Sequence, residues 1–253
     1  MERFFTQYYN ELSASAGFRL YGPGHLLFLL VIALGVAAAC RVYRRARPKT
    51  QISLLCGAAC VCLALELGKQ IVIFVAWPYY PLDQLPFHLC SLGIFVQVAD
   101  VFMPRLRKTT REILYSLSLP GTVAALLFPG WAVFPLLSIF SLHSFLTHSI
   151  LLCYPLLLLS SRQLQPAWRN LWRCALFVIV TAVPLYFFNK RFATNFFFIN
   201  GSVPGSPLKV LENLLGYPGY LLGYAALLLA VWLVMYVPFI FKRLPSNSNH
   251  IRP

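Results

Sequence analysis

The sequence contains little charge, and especially little acidic charge. Only 11% of its 253 residues are charged and seven are Asp or Glu, whereas 59% are hydrophobic. Its mean hydropathy is +0.70. Soluble domains carry about a quarter charged residues. A chain this apolar cannot cover its own surface in water, which excludes a soluble globular protein and indicates a single integral membrane domain over residues 1–253.

The patterns of several other protein classes are also missing. There is no basic stripe with interleaved aromatic residues, so the net charge of +14 does not indicate a nucleic-acid partner. None of the seven cysteines forms a CxxC pair and all lie in apolar runs, so a disulfide framework is not expected. The first twenty residues have no charged region leading into an apolar stretch, and no signal peptide is predicted.

The sequence does contain long apolar runs. A membrane-spanning helix needs about 20 largely apolar residues, and seven segments meet this requirement: 21–40, 51–77, 86–103, 112–128, 134–160, 171–189 and 217–241. We therefore predict an all-α polytopic membrane protein with seven transmembrane helices. Pro120 and Gly121 interrupt the fourth segment, where we expect a kink that neighbouring helices stabilise.

The basic residues predict how the helices are oriented. Most of the 21 Lys and Arg residues fall in alternate connections and the tail, at 41–49, 105–111, 162–173 and 242–252. Cytoplasmic loops carry an excess of Lys and Arg, which predicts an N-terminus outside and a C-terminus in the cytoplasm. The sixth connection, 190–216, is long and apolar (NFFFINGSVPGSPLKVLENLLG). Long ordered loops are often functional, so it is either a lid over the outer face or a plain surface loop.

Ionisable residues inside a span are costly and are candidates for function. At 1.5 Å per residue, five of them lie about 21–25 Å above the cytoplasmic ends of their helices: His25, Glu66, His88, Cys90 and His148. They come from four helices and share one layer in the outer half of a core about 30 Å thick. Asp100, Lys69 and His143 lie nearer a boundary and are interpreted as interfacial.

The layer contains one pair of side chains that could act together as nucleophile and base. His88 and Cys90 are two residues apart on a helix and point about 200° from each other, so His88 is a poor base for Cys90. His148 comes from another helix at a similar height. A buried thiol needs a base to become nucleophilic, which indicates Cys90 as nucleophile and His148 as base, with Glu66 or His25 orienting the imidazole. The alternatives are a cysteine that only packs and histidines that only join helices.

A metal centre is the other chemistry that these side chains allow. His25, Glu66, His88 and His148 have ligand atoms that suit zinc or iron. The sequence lacks a local metal-binding pattern such as HExxH, so neither a metal nor another cofactor is expected.

Several motifs resemble those of a known family. YGPGHLLFLL, LPFHLCS, SFLTHSI, NFFFI and LGYPGY resemble, in order, segments of a bacterial family of YwaF-like integral membrane proteins, which is similar to the eukaryotic transmembrane protein 164. The resemblance implies a seven-helix protein of the bacterial cytoplasmic membrane and a cysteine-dependent acyltransferase acting on phospholipids and lysophospholipids. It places the nucleophile at Cys90 and the base at His148, and it marks Asn195 as a polar position of unassigned role.

Three functional hypotheses follow. The first is a lipid acyltransferase that works through an acyl-cysteine intermediate. The second is a lipid or fatty-ester hydrolase using the same Cys90 and His148, an activity found in the more distant androgen-induced hydrolase group. The third is a transporter or binding protein whose polar layer lines a pathway. The oligomeric state is not predicted.

Overall fold

The protein folds as a bundle of membrane-spanning helices. The structure is a computed structural model that describes residues 17–76 and 80–241. Within these ranges the chain forms helices and no strand, and seven helical segments are long and apolar enough to cross a membrane. The prediction of an all-α protein with seven such helices is confirmed. The orientation with the N-terminus outside stays a prediction.

The helices follow the predicted segments with shifted ends. In the described ranges the α-helices are α1 Pro23–Arg45, α2 Pro48–Ala76, α3 Leu89–Phe102, α4 Arg107–Ile113, α5 Leu119–Leu127, α6 Ile139–Ser160, α7 Leu171–Phe192, α8 Pro207–Leu215 and α9 Tyr220–Phe241. Helix α1 continues past its predicted end at Cys40 into a basic turn with Arg44 and Arg45. Arginine is a good helix former, and positive charge is favourable at a helix C-terminus.

The fourth span contains the expected irregularity. A π-helix, Leu114–Ser118, joins α4 to α5. Pro120 lacks an N–H, so it cannot donate to the carbonyl of Ser116 four residues earlier. The indole Nε1–H of Trp232 on α9 donates to that carbonyl instead, at 2.9 Å. A neighbouring helix therefore satisfies the freed backbone group, as the sequence predicted.

Helix α6 lies at the centre of the bundle. It packs against α1, α2, α3 and α5, while α3 also contacts α2 and the π-helix. The fourth span is the most buried of the seven. The elements that carry the predicted nucleophile and base, α3 and α6, are thus in direct contact inside the bundle.

Polar residues form a dense cluster near one end of α3, which we call the inner polar network. Asp100 is 1% exposed. Its carboxylate accepts from Thr110 at 2.8 Å, from Arg111 Nε at 3.1 Å and from Tyr154 at 3.0 Å. The interfacial depth of Asp100 stays a prediction, and the structure adds that the side chain is buried against α4 and α6.

Glu112 forms the second half of the inner polar network. It is 2% exposed and accepts from the Ala167 amide at 3.0 Å, the Asn170 side chain at 3.0 Å and the Tyr236 hydroxyl at 2.5 Å. These bonds join α4 to α9 and to the connection before α7. The carboxylate thus links elements that are far apart in sequence.

The long sixth connection is ordered and folds back onto the bundle. Asn189 at the end of α7 donates to the Phe196 carbonyl at 2.9 Å, and its side-chain oxygen accepts from the Thr194 hydroxyl and the Phe196 amide. Phe196 is fully buried, and the Tyr220 hydroxyl donates to the Phe198 carbonyl at 2.7 Å. The segment is therefore packed on the bundle, and we call residues 190–216 the cover; its role as a lid stays a prediction.

Candidate functional site

Cys90 lies in the first turn of α3. The N-cap residue His88 has an extended backbone and makes no capping hydrogen bond through its side chain. The first amides of a helix have no intrahelical acceptor, so the amides of Leu89, Cys90 and Ser91 point out of an uncapped helix end. A helix N-terminus favours a thiolate, and free amides can stabilise an oxyanion. The thiol thus occupies a backbone environment suited to negative charge.

The Cys90 side chain is a partly buried free thiol. It packs against a small cluster formed by Cys62, Ile94 and Leu151. The cluster contains residues of α2, α3 and α6, so Cys90 is held where three helices meet.

His148 on α6 is held in one tautomer by its own helix. Its Nδ1 lies 2.7 Å from the carbonyl oxygen of Ser144, one turn earlier. A carbonyl only accepts, so Nδ1 carries the hydrogen and Nε2 of the neutral ring is left as the acceptor. The Trp131 ring packs on the imidazole with centroids 4.6 Å apart. The ring is thereby fixed with its basic nitrogen available.

The predicted pair lies on two helices that contact each other, α3 and α6. No hydrogen bond joins Cys90 to His148 in the described residues. Catalytic hydrogen bonds are often long in a ligand-free enzyme and tighten only with substrate. The arrangement therefore supplies a thiol and a base on adjacent helices, without a preformed ion pair.

Glu66 contacts cations and amides rather than the imidazole of His148. It is 3% exposed, and its Oε1 accepts from Lys69 Nζ at 2.8 Å and from Gln70 Nε2 at 2.6 Å. Gln70 also donates to the Gln84 carbonyl at 3.0 Å and accepts from the Tyr80 hydroxyl. Burial raises the pKa of Tyr80, with smaller contributions from nearby carboxylates, so the phenol stays protonated and donates.

Lys69 and His143, which the sequence placed near the outer boundary, both contact groups of α2. Lys69 Nζ lies 2.8 Å from Glu66 Oε1, and the Lys69 side chain is 17% exposed. His143 Nε2 lies 3.1 Å from the Leu65 carbonyl. The interfacial depth of these two residues stays a prediction, and both contact the helix that carries Glu66.

His25 lies apart from this pairing. It is 1% exposed, its Nδ1 accepts from the Tyr21 amide at 3.1 Å, and its Nε2 lies 3.0 Å from the Leu126 carbonyl. Both ring nitrogens are occupied by backbone groups. The orienting partner of His148 is thus the Ser144 carbonyl, and neither His25 nor Glu66 fills that role by a hydrogen bond.

His88 and Asn195 connect the site to its cover. The His88 ring lies 5.1 Å from the rings of Phe196 and Phe198, measured between centroids. The Asn195 side chain donates to the Gly201 carbonyl at 2.8 Å and accepts from the Asn200 amide at 2.9 Å. Asn195 therefore holds the turn that presents the phenylalanines to the start of α3.

Metal chemistry has no preformed site in residues 17–76 and 80–241. In those ranges no group of three or more His, Cys, Asp or Glu side chains could hold a metal ion. His25 and Glu66, the two proposed ligands on α1 and α2, have their own partners.

Two comparisons with known proteins return no match. No curated protein matches the chain, and no solved structure does. The model of the TMEM164 family, in contrast, matches residues 20–236. That range includes Cys90, His148, Asn195, six whole spans and most of the seventh, and it agrees with the resemblance of the sequence motifs. The chain is a multi-pass integral membrane protein and belongs to the TMEM164 family.

Proposed function

We propose that this protein is a lipid acyltransferase that moves a fatty acyl chain from a phospholipid to a lysophospholipid through an acyl-Cys90 intermediate. One observation carries the proposal: Cys90 lies in the uncapped first turn of α3, next to a helix whose His148 keeps Nε2 free as a base. The family resemblance supports the same two residues. We place the protein in a bacterial cytoplasmic membrane.

The first half-reaction forms a thioester. His148 Nε2 takes the proton of the Cys90 thiol, and the thiolate attacks the carbonyl carbon of the donor ester. The C–S bond forms, and the negative carbonyl oxygen faces the free amides of the first turn of α3. The intermediate collapses with cleavage of the C–O bond. The departing lysophospholipid alkoxide takes the proton from His148.

The second half-reaction reverses these roles. The hydroxyl of an acceptor lysophospholipid gives its proton to His148 and attacks the thioester carbonyl. The new ester C–O bond forms, the C–S bond breaks, and the Cys90 thiolate regains the proton. The two half-reactions need no oxidant, metal or other cofactor.

The cover formed by the sixth connection supports transfer over loss of the intermediate to water. Phe196 is fully buried and Phe197 is 6% exposed, and Phe198 packs on His88. An apolar cover at the outer end of α3 limits access of bulk water to the thioester, which favours a lipid acceptor.

The proposal is tested by intact-mass spectrometry of the purified protein after incubation with mixed phospholipids. We expect a hydroxylamine-labile acyl adduct that maps to Cys90 and is absent from Cys90→Ala. Cys62→Ala is the matched control, because Cys62 packs in the same cluster and should still form the adduct. Absence of an adduct, with lipid turnover unchanged in Cys90→Ala, would refute the proposal and favour the transporter hypothesis.

A further inference from the structure

Several buried polar atoms without partners lie on α3 and on the π-helix and α5 beside it. Among the residues that the structure describes, hydrogen-bond partners are lacking for both amide atoms of Gln97, the hydroxyls of Ser116, Ser118, Thr122 and Ser141, the Trp131 indole N–H and Arg173 Nε. Gln97 and Thr122 have no exposed surface, and Ser118 is 2% exposed. Most buried polar groups in proteins are paired with protein or water, so this set calls for a ligand.

Three of these residues lie on α3 or on the elements packed beside it: Gln97 on α3, Ser118 in the π-helix and Thr122 on α5. A Cβ built on Gly93 would lie 2.9 Å from the Ser118 hydroxyl oxygen, so that hydroxyl faces the backbone one turn beyond Cys90. A Cβ on Gly121 would lie 3.1 Å from Leu89, so α5 rises beside the first turn of α3 and brings Thr122 to that level.

Gln97 lies on α3 one helical turn after Gly93, and side chains on a helix lean toward its N-terminus. The Gln97 amide therefore points toward Gly93 and the Ser118 hydroxyl. We call the space between Gln97, Ser118 and Thr122 the polar pocket.

The two hydroxyls differ from others in this protein. Ser149 donates to the Phe145 carbonyl at 2.6 Å and Thr181 to the Phe177 carbonyl at 2.7 Å, each one turn back on its own helix. That bond is the usual way to satisfy a hydroxyl within a membrane helix. Ser118 and Thr122 do not make it, so their hydroxyls remain available to an outside partner.

The chemical groups of the polar pocket indicate which kind of molecule it binds. Two hydroxyls and an amide provide both donors and acceptors and no charge, which suits a neutral molecule that donates and accepts. A buried water makes about three hydrogen bonds to such groups. An ion would need a counter-charge, and the nearby ion pair of Glu66 and Lys69 is already closed.

We propose that Gln97, Ser118 and Thr122 bind water beside Cys90, and that the protein uses this water to hydrolyse part of its acyl-Cys90 intermediate. The inference rests on the proposed function. The water gives one proton to His148 and attacks the thioester carbonyl. The C–O bond forms, the C–S bond breaks, the thiolate regains the proton from His148, and a free fatty acid leaves. The apolar cover excludes bulk water, so hydrolysis depends on the bound molecule.

The experiment measures the ratio of free fatty acid to transferred acyl chain in phospholipid nanodiscs that contain a lysophospholipid acceptor. Reactions run in ¹⁸O-water, so hydrolysis labels the carboxyl group of the released fatty acid. Gln97→Leu removes the amide, Ser118→Ala removes a hydroxyl, and Gly93→Ala places a methyl group against Ser118. We expect each variant to lower the ratio by about tenfold, as loss of a positioned hydrogen-bonding group would.

Thr181→Val is the control, because it removes a hydroxyl of α7 that has its own partner, and its ratio should equal that of the wild type. An unchanged ratio in all three pocket variants, in a protein that forms acyl-Cys90, overturns the water site and leaves the acyltransferase proposal intact. An equal fall in Thr181→Val also overturns it. Absence of acyl-Cys90 in the wild type refutes both proposals at once.

Discussion

The two polar regions inside the bundle differ in how fully their groups are paired. In the inner polar network, Asp100 accepts from three side chains and Glu112 accepts from two side chains and an amide. In the layer of Glu66, Cys90 and His148, which we call the outer layer after its predicted depth, Cys90 is a free thiol, His148 keeps one ring nitrogen free, and the adjacent pocket contains unpartnered hydroxyl and amide groups.

This difference indicates which polar groups stabilise the fold and which take part in the reaction. A fully satisfied polar network in a medium of low dielectric constant fixes the positions of the elements that it joins. Groups left unsatisfied in such a medium cost free energy, so they persist where a ligand uses them. We therefore expect substitutions in the inner polar network to alter folding and substitutions in the outer layer to alter turnover.

The largest expected effect lies in the outer layer. His148→Ala should lower the rate of acyl transfer by about 10²–10⁴-fold, the usual contribution of a positioned general base. The free energy of unfolding should fall only modestly, because the ring loses one local hydrogen bond to Ser144 and its packing on Trp131. Steady-state acyl transfer and thermal unfolding, measured on the same preparation, check both statements.

The control for His148→Ala is His25→Ala. His25 bonds backbone groups of two other segments, so its loss should destabilise the protein while leaving the chemistry of the folded fraction intact. A turnover defect of equal size in both variants would contradict the distinction between the two histidines.

The next largest effect is on stability. Asp100→Ala leaves Arg111, which is partly buried, without its carboxylate, and removing one partner of a buried ion pair costs about 3–5 kcal/mol. We expect a loss of that order in the free energy of unfolding, measured by denaturant titration in detergent micelles. Asp83→Ala, at an exposed position, should be nearly neutral. Full stability together with lost turnover in Asp100→Ala would place this network in the chemistry and remove the contrast.

The sequence predicted the positions of the helices better than the side-chain contacts between them. Apolar run length and basic loops determine where helices lie, so the seven spans could be read directly. The depths of Glu66 and Cys90, counted from basic anchors, stay predictions. The burial of Asp100 was not predicted, because depth says nothing about burial: the chain brings Thr110, Arg111 and Tyr154 around it.

The sequence also did not predict which backbone carbonyls and amides contact the site residues. The Ser144 carbonyl orients His148, and the amides at the start of α3 surround Cys90. Every residue has a carbonyl and most have an amide, so residue type does not mark them. The Pro-Gly pair in the fourth span predicted a kink, but only the folded bundle identifies Trp232 as its partner.

A smaller effect is expected at that kink. Trp232→Phe removes the donor to the Ser116 carbonyl, and an unsatisfied buried acceptor costs about 1–3 kcal/mol. Thermal unfolding should show a loss of this size, whereas Trp172→Phe at an exposed site on α7 should show little. Adding Pro120→Ala supplies an amide donor one turn away, so the double variant should lose less than Trp232→Phe alone. An undiminished loss would show that the π-helix does not depend on this bond.

The smallest effect concerns the cover, where polar groups are paired but exposed to solvent. The Ser202 hydroxyl and Lys209 hold the pKa of Glu212 below its ordinary value of 4.5. A lowered pKa in the folded state means that the carboxylate stabilises the cover above pH 4.5, and that this contribution is lost as the pH falls through the lowered value. Hydrogen exchange of residues 200–215, corrected for the intrinsic rate at each pH, should therefore increase at acidic pH in the wild type. Glu212→Gln should exchange at an elevated rate that does not vary with pH. Identical profiles for the two proteins would show that the Glu212 contacts do not hold the cover, and that the buried phenylalanines alone keep it closed over His88.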